Sequence, residues 1–182
     1  MPKRHKPVLR HLSPREARAL LARLDVGRIA YVFHDHVDIE PIHYAADGEW
    51  IYGRTSIGSK LISLVHHRWC AFEVDDVHGP FDWMSVVVKG AFYVLDAEPG
   101  PDGYARCLAL LRAKMPEALT SDDPAPHRAV LFRIHIDEIA GRCADSSRAP
   151  GSARRALLMR GHYGEGRAAP NRARGNGGKT VD

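Results

Sequence analysis

The stretch with the clearest chemical potential is residues 50–64, WIYGRTSIGSKLISL. From Arg54 to Lys60 it carries two cations and three small hydroxyl side chains, namely Arg54, Lys60, Thr55, Ser56 and Ser59. Gly58 precedes an apolar helical run, so backbone N–H groups at the start of that helix are available to a ligand. Charge-assisted donors, small hydroxyls and the positive end of a helix dipole suit a terminal phosphate group. The stretch therefore predicts a phosphate-binding site.

Two other interpretations of this stretch stay open. Gly53 and Gly58 have the glycine spacing of the nucleotide-binding loop GxxxxGK[ST], but Ser59 stands where that loop has its lysine. No strand–helix–strand pattern surrounds the glycines, which argues against an ATP- or GTP-binding loop. The stretch is also compatible with an ordinary connection between a strand and a helix that carries solvated charges.

Composition limits the class of protein. The chain has 182 residues, of which 45% are hydrophobic, so it can bury one core but has no room for two large domains. It contains no apolar run of membrane-spanning length, and its first residues lack the apolar segment of a signal peptide. Cys70, Cys107 and Cys143 are scattered without C-x-x-C spacing. We expect a cytoplasmic protein with reduced thiols, no membrane partner and no metal site.

The positive charge is concentrated at the C-terminal end. From Gly141 onward there are 9 Lys and Arg against 3 Asp and Glu, a net charge of +6, which leaves residues 1–140 at −2 of the total of +4. Residues 143–182 are rich in glycine and arginine, so we expect a disordered basic tail. No aromatic platform accompanies this charge, which argues against nucleic-acid binding beyond weak contacts of the tail. Residues 1–12 are expected to form a flexible N-terminus.

Residues 13–142 carry the patterns of a folded domain. Ser13, Pro14 and Glu16 have the types and spacing of a helix start with a capping box. From Gly27 onward apolar residues alternate with period two, which predicts six strands with two or three short helices between them. Consecutive strands mostly lack crossover helices, which excludes a doubly wound sheet. We predict a mainly β fold, a six-stranded antiparallel split β-barrel of Greek-key type.

Two residues interrupt the predicted strands. Pro41 cannot donate a hydrogen bond to a neighbouring strand, so it predicts a sheet edge or a bulge. Gly90 lies at the centre of the longest strand and predicts a bulge that lets the sheet curl. Because a small barrel fills its interior with side chains, a ligand must bind on its outer surface.

The order of these segments resembles a known family. GRIAYV, EPIHY, IYGRTSIGSKL, WCAFEVDD, WMSVVVKGAFYVL and LFRIHIDEIAG follow one another as in the pyridoxamine 5'-phosphate oxidase-like FMN-binding split barrels. Within that superfamily the chain is most similar to the small flavoproteins grouped with the nitroimidazole reductases. The resemblance covers residues 13–142, and its strongest pieces are the R-T-x-x-G-x-K-L run and the W-x-S-V-V-V-x-G strand.

The resemblance implies a homodimer that holds two FMN molecules at its interface. The phosphate would be held by Arg54, Thr55, Ser59 and Lys60, with Ser56 nearby. The edge of the isoalloxazine ring would lie along Ile42, His43 and Tyr44. The long strand, from the other subunit, would contribute Trp83, Ser85 and Val86. His43 is the histidine that we expect to contact the ligand, since its strand faces the flavin in this arrangement.

Two departures limit what the resemblance implies about activity. The nitroimidazole reductase group often has a histidine where Arg54 stands, and the tail does not reproduce the C-terminal arginine motif of true pyridoxamine phosphate oxidases. Some relatives bind a deazaflavin or haem instead of FMN. Three functions stay open: an FMN-dependent oxidoreductase acting on a small molecule, a flavin, deazaflavin or haem binding protein without turnover of its own, and an interaction module without a cofactor. The sequence identifies no catalytic residue, substrate or electron donor.

Overall fold

The computed structural model describes residues 8–96 and 103–145, which contain seven strands and three helices. In chain order these are β1 (Val8–His11), α1 (Pro14–Arg23), β2 (Val26–Phe33), β3 (His36–Asp47), β4 (Trp50–Thr55), α2 (Ser59–His66), β5 (Trp69–Gly79), β6 (Asp82–Val94), α3 (Tyr104–Lys114) and β7 (Val130–Asp145). Strands β2 to β7 are the six that the sequence predicts, and β1 is additional.

β1 is a short edge strand that the sequence pattern does not reveal. It pairs antiparallel with the end of β7, from Val8 opposite Asp145 to His11 opposite Arg142. All of its side chains are exposed, so the segment lacks the apolar alternation by which strands are recognised. Residues 8–11, which were expected to belong to a flexible N-terminus, therefore form a strand of the sheet, and β7 continues past residue 142 to Asp145. The rest of the predicted N-terminal and C-terminal tails lies outside the described residues.

The strands form one closed sheet. They pair in the order β1-β7-β4-β3-β2-β5-β6, and β6 pairs with β7 as well, so β2 to β7 form a ring. Every pairing among the described strands is antiparallel. β3 pairs with β4 only from Tyr44 onward, so Pro41 lies where β3 has a neighbour on one side alone. These observations confirm the prediction of a mainly β fold of the split-barrel type.

Side chains fill the interior of the ring. The largest fully buried side chains of this core are Tyr44, Phe72, Phe132, Leu20, Leu21, Ile29, Ile51, Leu64, Ile134 and Val74. Leu20 and Leu21 come from α1 and Leu64 from α2, so both helices close the core from outside the sheet. A ligand therefore has only the outer surface available. Among the described residues, no helix is both long enough and apolar enough to cross a membrane.

The third helix packs on the outer face of the sheet. It shares a second, smaller core with β3, β4 and β7 that consists of Ala45, Tyr52, Cys107, Leu111 and Leu131. Burial raises the pKa of the Cys107 thiol to about 12, so this cysteine is an uncharged packing residue at neutral pH. Residues 115–129 follow α3 and form a series of turns, and Asp123 among them pairs with Arg54 of β4. This segment is called the β4-side loop below.

The predicted irregularity at Gly90 is present between β6 and β7. Lys89 is opposite Glu138 but Gly90 is opposite Ile136, so β7 has one extra residue there. A Cβ atom on Gly90 would lie 1.8 Å from the carbonyl oxygen of His135. Glycine is therefore the residue that fits against the bulge.

α1 begins with the predicted capping box. The backbone N–H of Glu16 donates to Ser13 Oγ at 3.3 Å, and the N–H of Ser13 donates to Glu16 Oε2 at 2.8 Å. The guanidinium of Arg10 on β1 donates to both carboxylate oxygens of Glu16, at 2.9 and 3.1 Å. The hydrogen bond from Arg10, supported by those from Ser13, lowers the pKa of Glu16 to about 2 against the pull of burial. One carboxylate thus connects β1 to α1.

Replacing Glu16 with Gln should lower the free energy of unfolding by about 0.5–1 kcal/mol at pH 7, as expected for the loss of a partly exposed ion pair, since Gln can still accept the N–H of Ser13. The pKa of Glu16 is about 2 in the folded protein and 4.5 ordinarily, so its contribution is complete above pH 4.5 and is lost as the pH falls towards 2. Urea unfolding of both proteins at pH 7 and pH 3 measures this. A difference that is as large at pH 3 as at pH 7 contradicts the assignment.

Candidate functional site

β4 and α2 bring the central stretch to one end of the ring. Ile51 and Gly53 face the core, where the ring of Phe132 occupies the space in which a Cβ of Gly53 would lie. Since side chains alternate along a strand, Tyr52 and Arg54 face outward, under α3 and the β4-side loop. Thr55 ends the strand and is buried.

The first turn of α2 has free backbone donors. Gly58 occupies the N-cap position, and within the described residues no side chain caps the first N–H groups of the helix. A Cβ atom on Gly58 would meet no atom within 4 Å, so the space beside this residue is open. Ser59, in the first turn, is exposed, and Ser56 is half-buried just before it. This is the arrangement that the sequence predicts for an anion at the start of a helix.

Arg54 does not face open space, because it is paired with a buried carboxylate. Its guanidinium contacts Asp123 through both terminal nitrogens, with Nη2 donating to Oδ1 at 2.9 Å and Nη1 donating to Oδ2. The two side chains are 5% and 1% exposed. Asp123 also accepts the backbone N–H groups of Leu119 at 2.7 Å and Ala125 at 2.8 Å.

The chemistry of Asp123 follows from these four donors. The hydrogen bonds from Arg54, together with those from the two backbone N–H groups, hold the pKa of Asp123 well below its usual range. The aspartate is therefore ionised at any physiological pH, and its charge balances that of Arg54. Through this pair the β4-side loop is attached to β4.

Lys60 is also paired. Its Nζ is 2.8 Å from Glu40 Oε2, and its side chain is 11% exposed. Glu40 accepts a second hydrogen bond from the hydroxyl of Tyr31 at 2.5 Å. Burial alone would raise the pKa of Glu40, but the hydrogen bonds from Lys60 and Tyr31 outweigh it and the pKa is lowered. Burial and the same carboxylate raise the pKa of Tyr31 to about 12, so this hydroxyl stays a donor.

Two adjoining cavities lie on the outer surface between β3, β4 and the β4-side loop. The larger, of about 230 Å³, is lined by His43, Arg54, Met115, Pro124, Ala125, His127 and Arg128. The smaller, of about 160 Å³, is lined by Asp25, His43, Tyr44, Leu111, Lys114 and Met115. His43 and Met115 border both cavities, so we refer to the two together as the His43 cleft.

Arg128 connects the cleft to Lys60. Its positive charge is close enough to Glu40 to contribute to the lowered pKa of that carboxyl. Among the described residues, however, the guanidinium of Arg128 has no ion pair within 4 Å and no hydrogen bond from its side chain. Within the described part of the chain, the cleft is lined by Arg128, which has no ion pair, and by two paired cations, Arg54 with Asp123 and Lys114 with Asp25.

Ile42, His43 and Tyr44, the residues predicted along the edge of the isoalloxazine ring, do not share one environment. Ile42 and Tyr44 are buried in the core, where the Tyr44 ring packs against Phe72 and its hydroxyl donates to the Leu21 carbonyl at 2.6 Å. His43, between them, is exposed and borders both cavities. Tyr44 also lines the smaller cavity, so His43 is the exposed side chain of this set, and its contact with a ligand stays a prediction.

The residues predicted on the long strand do not join this site within one chain. On β7, Leu131 is opposite Arg54 and Ala144 is opposite Trp83, and the strand between them is on the order of 40 Å long. Val86 is buried in the core, and Ser85 donates to Glu73 at 3.1 Å. These residues would meet the phosphate site only across two copies of the chain.

Sequence reasoning missed three residues of the site, which are Asp123, His127 and Arg128. All three lie in the β4-side loop, which has neither helical nor strand periodicity. The loop reaches the site because α3 packs beside β4, a placement that no short-range pattern encodes. Its Asp-Pro pair indicates a turn, but nothing in the spacing indicates that the aspartate is buried against Arg54.

Comparison with known proteins supports the architecture. A sequence model of the family described as pyridoxamine 5'-phosphate oxidase matches residues 13–143. The chain belongs to this family. No curated protein matches the chain.

Solved structures with the fold of the pyridoxamine 5'-phosphate oxidase family include proteins with different cofactors. An FAD-binding protein from Mesorhizobium loti is 24% identical with a TM-score of 0.64, and the match covers 77% of this chain and 99% of that one. An FAD and haem binding protein from Mycobacterium smegmatis is 20% identical, with a TM-score of 0.55 and 91% of each chain covered. A haem storage protein from Vibrio cholerae is 9% identical, with a TM-score of 0.56 and 69% and 92% covered. At these identities the likeness shows a shared fold.

Replacing Arg54 with Ala should lower the thermal midpoint by on the order of 10 °C, because Asp123 would stay buried without its cation. Arg106→Ala is a matched control, since Arg106 pairs with Asp47 at 2.6 Å but the two side chains are 53% and 42% exposed. A surface pair of this kind should change the midpoint by less than about 3 °C. Differential scanning calorimetry measures both, and equal midpoints in the two variants contradict an anchoring role for the Arg54 pair.

Proposed function

We propose that this protein binds FMN as a homodimer and acts as a flavin-dependent oxidoreductase on a small molecule. The observation that carries the proposal is the set of anion-binding groups around the His43 cleft. Arg128 lines the cleft, and its charge acts on the same carboxyl, Glu40, that pairs with Lys60 in the uncapped first turn of α2. Membership of the pyridoxamine 5'-phosphate oxidase family supports a phosphate-bearing ligand at this place.

The groups present fit a flavin phosphate. Lys60 and Arg128 outnumber Glu40 by one positive charge, and the Arg54–Asp123 pair adds none. Hydroxyls of Ser56 and Ser59 and the first N–H groups of α2 add neutral donors. The larger cavity, about 230 Å³, is below the roughly 300–1,000 Å³ of typical ligand pockets. We infer that a second copy of the chain supplies the remaining walls of the site.

The chain's residues would bind and orient the cofactor. A bound flavin supplies the redox chemistry itself, by accepting and donating electrons. Lys60 and Arg128 would hold its phosphate at one end of the cleft. His43 has an exposed imidazole without a side-chain hydrogen bond among the described residues, and it borders the part of the cleft beyond Arg128. It is the residue here that can contact the ring or a substrate.

The proposal also specifies which cofactor is bound. FAD carries the same phosphate next to its flavin, and the similar structures include FAD-binding proteins. Haem is a second candidate, because His43 and His127 line one cavity and a neutral imidazole is an axial ligand of haem iron. A deazaflavin is a third. We therefore propose flavin binding first, with FMN as the expected form.

The absorption spectrum of the purified protein tests this proposal. Flavin bands in the blue are expected, and chromatography of the released cofactor distinguishes FMN from FAD and from a deazaflavin. A Soret band supports the haem alternative. A colourless protein that takes up neither FMN, FAD nor haem contradicts cofactor binding altogether.

Exposed apolar side chains support the homodimer. Val32, Val37 and Ile39, on the outer face of the β2–β3 hairpin, are 50%, 68% and 61% exposed. Ile62 and Val65 of α2 are 54% and 60% exposed. α2 packs against β2, where Ser63 Oγ donates to the Val32 carbonyl. Apolar side chains of this number on neighbouring elements suit a subunit interface.

Replacing Val65 with Asp should yield a monomer of about 20 kDa that retains no flavin, because a charge is placed in this apolar surface and part of each site is lost. Val87→Asp provides the comparison. Val87 lies on β6, from which the resemblance implies that Trp83, Ser85 and Val86 of the other subunit would reach the flavin, but it is only 39% exposed and is opposite Glu73. Light scattering with absorbance detection measures mass and flavin content together. A flavin-loaded monomer from either variant or from the wild type contradicts the dimeric site.

Lys60→Ala should weaken FMN binding by roughly ten- to a hundredfold, the loss expected for one charge-assisted contact. Lys89→Ala is the matched control, since Lys89 pairs with Glu138 on the surface and both side chains are more than two-thirds exposed, at 68% and 69%. Its FMN affinity should equal that of the wild type. Quenching of flavin fluorescence gives both dissociation constants, and equal values for the two variants place the phosphate elsewhere.

A further inference from the structure

We infer that Arg128 provides the unpaired positive charge that binds the flavin phosphate, and that Arg54 is a positioning residue which acts on Arg128 through Asp123. The inference rests on the proposed function. It assigns a binding role to a residue of the β4-side loop, and it changes the role that the sequence predicts for Arg54 from contact to positioning.

The first reason is the balance of charge at the site. Arg54 is matched by Asp123 through two hydrogen bonds, and Lys60 is matched by Glu40 at 2.8 Å. Arg128 lines the same cavity as Arg54 but has no carboxylate within ion-pair distance among the described residues. Arg128 is near enough to Glu40 to lower the pKa of that carboxyl but makes no ion pair with it, so a phosphate that enters the cavity meets a guanidinium that is not already paired.

The second reason is the cost of using Arg54 directly. A phosphate bound to its guanidinium would have to displace Asp123, whose carboxylate also holds two backbone N–H groups of the loop. The displaced carboxylate is 1% exposed and would be left beside a second anion. Removing one partner of a buried pair is strongly unfavourable, so the pair should persist when the ligand is bound.

The third reason is a continuous set of hydrogen bonds from Arg54 to Arg128. Arg54 holds the carboxylate of Asp123, and Asp123 Oδ1 accepts the N–H of Ala125 at 2.8 Å. The carbonyl of Ala125 accepts the N–H of Arg128 at 3.0 Å, which closes a turn. The guanidinium of Arg54 thus fixes the backbone from which Arg128 extends along the cavity.

A comparison of FMN with riboflavin isolates the phosphate contact, because riboflavin has the same ring system without the phosphate. Arg128→Ala should weaken FMN binding by roughly ten- to a hundredfold and change riboflavin binding by less than about twofold. Arg106→Ala, which removes an exposed arginine paired with Asp47, should change neither affinity. Equal FMN affinities in the wild type and Arg128→Ala overturn the inference.

Asp123→Ala tests the positioning role, because it should change the preference for FMN over riboflavin in opposite directions if Arg54 positions the loop and if Arg54 binds the phosphate itself. If Arg54 acts through the loop, loss of Asp123 releases Arg128 and lowers the preference for FMN over riboflavin severalfold. If Arg54 is itself the phosphate ligand, loss of the competing carboxylate raises that preference, which overturns the inference. Asp123→Asn retains one acceptor oxygen, which can hold one of the two loop N–H groups, so it should keep more of the preference than Asp123→Ala.

The wild-type titration separates this inference from the proposed function. If the wild type binds neither FMN nor riboflavin, flavin binding itself is wrong, and the inference falls with it. If it binds both but Arg128→Ala does not distinguish them, flavin binding stands and the assignment of Arg128 is wrong. Circular dichroism of each variant confirms that the fold is retained in the titrations.

Discussion

A buried ion pair is stable only when both charges and their remaining hydrogen-bonding groups are satisfied, and this requirement organises one end of the molecule. Arg54 extends outward from β4 because the inward positions on either side of it are filled by the core. Asp123 meets it there and holds the β4-side loop through Leu119 and Ala125. Without this pair, the loop would have no buried polar anchor on the strand.

The filled interior of the ring determines where function can lie. Since Phe72, Phe132 and their neighbours occupy the centre, the polar groups of the chain converge on the outer surface. There the exposed His43 of β3 and the β4-side loop border one cleft, and Arg54, which lines it, lies on the strand that leads into α2. The residues of β6 that the family resemblance adds lie at the other end of the strands, which is why a complete site is proposed to need a second chain.

Local patterns predicted the parts of this structure that local physics determines. The capping box at Ser13 and Glu16 involves residues three positions apart, and Gly90 marks a bulge because no side chain fits there. β1 was missed because its exposed side chains show no alternation and its pairing depends on distant β7. The partners of Arg54 and Lys60 were missed for the same kind of reason: Asp123 is 69 residues from Arg54, and Glu40 is 20 residues from Lys60. The phosphate-binding role of the central stretch stays a prediction.

The most direct test of the proposed site is a crystal structure of the protein with FMN. The account predicts that the phosphate oxygens lie within hydrogen-bond distance of the Arg128 guanidinium, Lys60 Nζ and the first N–H groups of α2. It also predicts that Arg54 stays paired with Asp123, while a second copy of the chain covers the flavin ring. A phosphate bound to Arg54 with Asp123 displaced, or a flavin bound away from the His43 cleft, contradicts it.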